Sequence, residues 1–186
     1  MDRTIRMVRG QTLADFRRLP EGTLVELIGG HLVFRPTPLV QHRRVVGQLV
    51  WLLGDFVESR DLGVVVSWID TRLSDADAFQ PDLVFVSHER LGILGEQEIE
   101  GAPDLVVEVL SPSTGYYDLT QKREAYERAG VREYWIVDPE RQTVEVLTLD
   151  EGAYRTAAKA ERAGRIGSVL LEGFETRLER LFLAVG

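Results

Sequence analysis

The chain has 186 residues, 44% hydrophobic and 28% charged, a composition that excludes disorder as the main state and excludes low-complexity architecture. It contains no cysteine, so disulfides, thiolate metal centres and thiol nucleophiles are all excluded. The formal charge of −8 excludes a bulk polycation that coats nucleic acid, so any contact with DNA or RNA needs a local basic patch.

The length fits one domain over residues 1–186. Thr12 can cap a short helix from Leu13 to Leu19, stopped by Pro20. Thr23 to Ile28 and Leu32 to Arg35 read as strands, and Gly29-Gly30 between them signals a two-residue hairpin. From Val40 to Ser59 the apolar residues Val45, Leu49, Leu52, Leu53 and Phe56 recur at helical spacing. Leu62 to Leu73, rich in Val and Ile, reads as one strand, and Asp75 to Ala78 as a turn. Pro81 opens a strand from Asp82 to Ser87. His88 to Gly101 reads as irregular, with glycines at 92, 95 and 101.

Pro103 opens a further strand, Asp104 to Leu110, followed by a loop over 111–115. Asp118 is the expected cap of a helix from Leu119 to Ala129, which Gly130 ends. Arg132 to Val137 and Thr143 to Leu149 read as strands, and residues 154–182 as one or two more short strands with a closing turn. This order predicts an α/β fold, a mixed sheet flanked by helices, with an N-terminal hairpin and a C-terminal strand extension. The apolar-rich stretches, Val45 to Val57 and Leu105 to Leu110, are too short to span a bilayer. The first residues lack the apolar run of a secretory signal, so a cytoplasmic protein with no membrane partner is expected.

The strand Asp104 to Leu110 carries the strongest chemical signal. Side chains alternate, so Leu105, Val107 and Val109 share one face, and Val106, Glu108 and Leu110 the other. Both faces are apolar, as in a strand covered on both sides, and Glu108 sits among them. A buried carboxylate without a partner costs several kcal/mol, so Glu108 requires a cation, a metal or a proton. If the strand from Asp82 pairs with it antiparallel, Asp82 faces Glu108. Two carboxylates meeting at a sheet edge suit a hard divalent ion such as Mg²⁺. Asp104 reads instead as a structural acid. Lys122, one turn into the following helix, is the third piece. Of 22 cations 20 are Arg, so a compact ammonium here is conspicuous, although a surface lysine paired with Glu124 or Glu127 is an equal reading of the spacing.

Pro81-Asp82 followed by Glu108-Val109-Leu110 resembles the signature of the PD-(D/E)XK, or restriction-endonuclease-like, nuclease superfamily. More closely, the chain resembles the Uma-type family of restriction-endonuclease-fold nucleases. The matching stretches are Val25 to Gly30, Gln80 to Val84, Gly101 to Thr114, then Asp118, Lys122, Tyr126 and Gly130 to Pro139. The likeness covers roughly residues 12 to 183. It implies Mg²⁺- or Mn²⁺-dependent hydrolysis of a nucleic-acid phosphodiester, with DNA as the expected substrate. By that resemblance Asp82 and Glu108 hold the metal, the Val109 carbonyl is a further candidate ligand, and Glu26 is an accessory metal or water ligand, with pairing to Arg35 as the competing reading. The superfamily places its lysine two residues after the glutamate. Here that residue is Leu110, so Lys122 takes the role.

Residues 1–44 hold eight Arg against four acids, in contrast to the acidic whole. Within this basic segment Arg35, Arg43 and Arg44 are candidates to grip phosphates, and His42 is a structural or phosphate-contacting histidine. Nucleases of this fold that cut both strands suggest a homodimer. A catalytically weak nucleic-acid-binding or accessory module on the same fold is the alternative, because Leu110 interrupts the signature. A two-carboxylate sugar hydrolase is a third class, disfavoured by Lys122.

Overall fold

In the computed structural model of the protein, residues 6–20, 22–111 and 117–182 are described. Strand β1 (Arg6–Arg9) is followed by helix α1 (Leu13–Arg17), whose first turn Thr12 and Asp15 close in a reciprocal capping box. The helix ends two residues before the predicted Leu19. Strands β2 (Val25–Ile28) and β3 (His31–Phe34) form the predicted hairpin. Gly29 and Gly30 adopt φ of 54° and 74°, the left-handed pair that a tight hairpin of right-twisted strands requires. Helix α2 (Val40–Glu58) matches the apolar spacing and buries Val45, Val46, Leu49, Leu52, Leu53, Phe56 and Val57.

The single strand expected over 62–73 is two strands, β4 (Gly63–Val66) and β5 (Asp70–Arg72), in different sheets. The break falls at Trp68, whose φ of 61° turns the chain. Short strand β6 (Ala78–Phe79) begins inside the predicted turn, which runs instead over Ser74 to Asp77. The segment read as irregular contains a 3₁₀ helix (His88–Ile93) and β8 (Glu98–Glu100). Strands β7 (Leu83–Ser87) and β9 (Leu105–Val109) lie where expected. The predicted loop over 111–115 falls, except for Ser111, outside the described residues.

A wide π-helical turn, Asp118–Lys122, runs into α3 (Arg123–Ala129). Tyr117 already has helical φ and ψ, so Asp118 lies inside the helical segment and is not its cap. Gly130, at φ 86°, ends α3 as predicted. Strands β10 (Glu133–Asp138), β11 (Thr143–Asp150) and β12 (Ala153–Glu161) follow. The chain then forms a ribbon of β13 (Arg165–Gly167) and β14 (Glu175–Arg177), and a last turn of helix, α4 (Leu178–Leu181).

Two mixed sheets result rather than one. The central sheet has the order β12-β11-β10-β9-β7-β4, and the second β1-β3-β2-β6-β5-β8. In the central sheet β9 runs parallel to β10 and antiparallel to β7. One face, carrying Leu83, Phe85, Leu105, Val107, Val109, Trp135 and Val137, packs on α2 and the C-terminal elements. The opposite face, carrying Val84, Val86, Val106, Tyr134 and Ile136, packs on α3 and on Ile28, Val33, Phe79 and Ile99 of the second sheet. The alternation predicted for β9 is therefore realised, with both faces covered. No described helix is long and apolar enough to cross a membrane.

Candidate active site

The antiparallel register of β7 and β9 pairs Leu83 with Val107 and Val84 with Val106. Continued by one residue, it sets Asp82 opposite Glu108 at the strand ends, as the sequence predicts. Asp82 is 6% exposed and Glu108 2%. Different helical segments hold the two carboxylates. Asp82 Oδ2 accepts the Val109 backbone N–H at 2.8 Å and lies 3.0 Å from His42 Nε2, which α2 supplies. Asp82 Oδ1 makes no hydrogen bond to the described residues. Glu108 Oε1 is held from the α3 side, accepting from Lys122 Nζ at 2.8 Å and from the Tyr126 hydroxyl at 2.7 Å.

Lys122 is 1% exposed, which removes the reading of a surface lysine paired with its helix neighbours. The wide turn before α3 puts its ammonium under the sheet, and Tyr126, four residues on, follows on the same helix face. The ammonium also lies 2.9 Å from Glu26 Oε1 and 5.8 Å from the centre of the Phe79 ring. Burial, with the Glu108 charge beside it, pushes the Tyr126 phenol well above its ordinary range, so it acts as a neutral donor. Leu110, where the superfamily has lysine, packs with the apolar cluster beneath α3.

Glu26 Oε1 is surrounded by donors: Lys122 Nζ, the Gln80 backbone N–H at 3.1 Å and Arg35 at 3.5 Å. Of the two readings of its sequence context, the Arg35 pairing is present, with the lysine beside it. Arg35 also donates to the Gln80 side-chain carbonyl at 3.3 Å, and Gln80 donates to Asp70 at 3.3 Å. Burial raises Asp70 above its ordinary value, with the nearby Glu98 and Glu26 charges adding to it and the Gln80 hydrogen bond opposing. Gln80, Asp70 and the Tyr126 contact were not legible as site features. Only Tyr126 left a usable signal, its spacing of four from Lys122.

His42, 7% exposed, has its Nδ1 buried without a hydrogen-bond partner. Arg43 and Arg44 beside it are exposed on the first turns of α2. That helix has no side-chain cap and no acid in its first turn, so its positive end is unopposed there. Asp104 is structural, as expected: it accepts from the Ser87 N–H, Arg90 and Arg132.

Among the described residues no group of three or more His, Asp or Glu side chains is placed to hold a metal ion. Mg²⁺ does not require one, because it binds through one or two carboxylates and completes its shell with water and substrate phosphate. Asp82 and Glu108 supply hard oxygen donors of that kind, so the donor set fits.

A mixed sheet flanked by helices, with acids at the ends of two neighbouring strands, is the arrangement of the restriction-endonuclease-like class, and here the lysine arrives from the following helix instead of the glutamate's own strand. The chain belongs to the Uma2 family, described as "Putative restriction endonuclease", which matches residues 13–183. A solved structure from Anabaena variabilis ATCC 29413, described as a "putative nuclease belonging to DUF820", superposes with a TM-score of 0.77. That match has 22% identity and covers 92% of this chain and 97% of the other, so it establishes the fold. No curated protein matches the chain.

Proposed function

We propose that the protein is a divalent-metal-dependent nuclease that adds water across a phosphodiester bond, with DNA as substrate. The observation that carries this reading is the buried Glu108–Lys122 contact at 2.8 Å, beside the strand end where Asp82 lies opposite Glu108. Asp82 and Glu108 would hold Mg²⁺ or Mn²⁺. The ion would lower the pKa of a water and offset charge building on the phosphate.

The chain's own groups have separable tasks in this reading. The Val109 N–H and His42 fix one oxygen of Asp82 and so orient the other. Tyr126 and Lys122 fix Glu108, and Lys122 adds a compact positive charge. Glu26, its oxygen already shared by three donors, positions Lys122 rather than ligating the ion. Arg43, Arg44 and the open end of α2 receive phosphates, and Arg35 braces Glu26 and Gln80. A homodimer would present two such sites to a duplex, which sedimentation with and without DNA tests.

The test is nicking of supercoiled plasmid in Mg²⁺ or Mn²⁺, by the native protein and by the Asp82→Asn and Glu108→Gln variants. Metal-dependent nicking that both substitutions abolish supports the reading. Cutting that persists in a chelator contradicts it. DNA binding that survives both substitutions, with no cutting under any condition, favours the accessory-module alternative to which Leu110 points.

A further inference from the structure

Between β4 and β5 the chain crosses from one sheet to the other, and the residue at the bend is Trp68. Its φ of 61° is a conformation that bulky residues rarely adopt and that Gly or Asn would occupy with less strain. An aromatic ring is therefore kept where the backbone disfavours it. The half-buried indole packs at the margin of the α2 core. The guanidinium of exposed Arg43 lies over its face, 5.2 Å from the ring centre. The His42 ring meets it edge-on at 6.3 Å, and His42 reaches Asp82 at 3.0 Å. Indole, guanidinium and imidazole thus form a contiguous cluster that runs from exposed Arg43 and half-buried Trp68 inward to buried His42 and Asp82.

We propose that Trp68 with Arg43 is a nucleobase-stacking platform that receives an unpaired base, from a single strand or a locally opened duplex, beside the scissile position. This deepens the nuclease reading and rests on it for the identity of the ligand. A phosphate clamp needs a cation alone. A planar guanidinium laid over a strained indole instead offers a flat, delocalised outer face backed by the ring, on which bases of any sequence stack. Arg44 and the uncapped start of α2 lie on the same helix end and suit the flanking phosphates. The platform favours substrates with unpaired bases over intact duplex.

Fluorescence tests it directly. In Trp51→Phe protein the remaining indoles are Trp68 and the fully buried Trp135. Titration with oligothymidylate, in Ca²⁺ and separately in EDTA, should quench the emission in at least one of them, and an abasic oligonucleotide of equal length should not. Trp68→Ala should weaken oligothymidylate binding about tenfold, and Trp68→Phe should keep most of it. Arg43→Ala, at an exposed position, should weaken it severalfold without unfolding the protein. Equal quenching by the abasic strand, no quenching in either buffer, or unchanged binding by both Trp68→Ala and Arg43→Ala would overturn the platform. If those results came with persistent Mg²⁺-dependent cutting, only this inference would fail. Base-dependent quenching with no cutting would instead sink the nuclease reading and leave the platform.

Discussion

The ammonium of Lys122 lies 2.9 Å from Oε1 of Glu26, and this contact joins the helix beside the central sheet to the hairpin of the second sheet. The same ammonium reaches Glu108 at 2.8 Å. One buried cation therefore couples the second sheet to the strand end that carries the site.

Lys122→Met should destabilise the fold by about 3–5 kcal/mol, because it leaves Glu26 and Glu108 buried beside each other without their shared cation. Chemical denaturation measures this. A change below ~1 kcal/mol would show that the ammonium is not the keystone of the cluster. Glu26→Gln keeps an acceptor for the Gln80 N–H and removes only charge. It should leave the fold intact and lower metal-dependent cleavage about tenfold at saturating substrate, with KM little changed. Unchanged cleavage would deny Glu26 its positioning role.

Asp82→Asn should retain the acceptor for the Val109 N–H and lose the anionic oxygen. We expect a near-native melting curve and cleavage reduced at least ~100-fold, since an ion's charge stabilisation amounts to several kcal/mol. Glu108→Gln should lose activity to a similar degree. Cleavage within threefold of native in either variant would count against the carboxylate pair.

Stability should respond to pH with opposite signs at two acids. For Asp104, burial raises the pKa, but the Ser87 N–H and Arg90 more than offset it, holding the group below its ordinary 3.8. Its stabilisation is complete above 3.8 and is lost as pH falls through the lowered folded value. Asp104→Asn should therefore cost about 1–3 kcal/mol at neutral pH, with the gap closing in acid. Asp70, raised by burial, opposes folding once pH rises past 3.8 towards its folded value. Asp70→Asn should be neutral to stabilising at pH 7 and without effect well below 3.8. Urea titrations at several pH values would decide both, and parallel shifts of the same sign would refute the assignment.

Much of this architecture was legible from local pattern. The spacing of Val45 to Phe56 located α2, Gly29-Gly30 located the hairpin, and the alternation in β9 placed Glu108 among apolar neighbours. The second sheet was not legible. Its strands β5, β6 and β8 are two or three residues long, too short to show a period, and the pairings of β6 with β2 and of β8 with β5 join segments far apart along the chain. The break at Trp68 was hidden because neither Gly nor Pro marks it. At the site, the opposition of Asp82 and Glu108 followed from strand register alone. The joint hold of Lys122 by Glu26 and Glu108 depends on how the two sheets pack, which no local spacing encodes.

The most direct measurement is a crystal soaked in Mn²⁺ and read for anomalous density. One peak bonded to both Asp82 and Glu108 is expected, absent from crystals of the Asp82→Asn, Glu108→Gln double variant. Manganese bound elsewhere, or the same peak in the double variant, would contradict it.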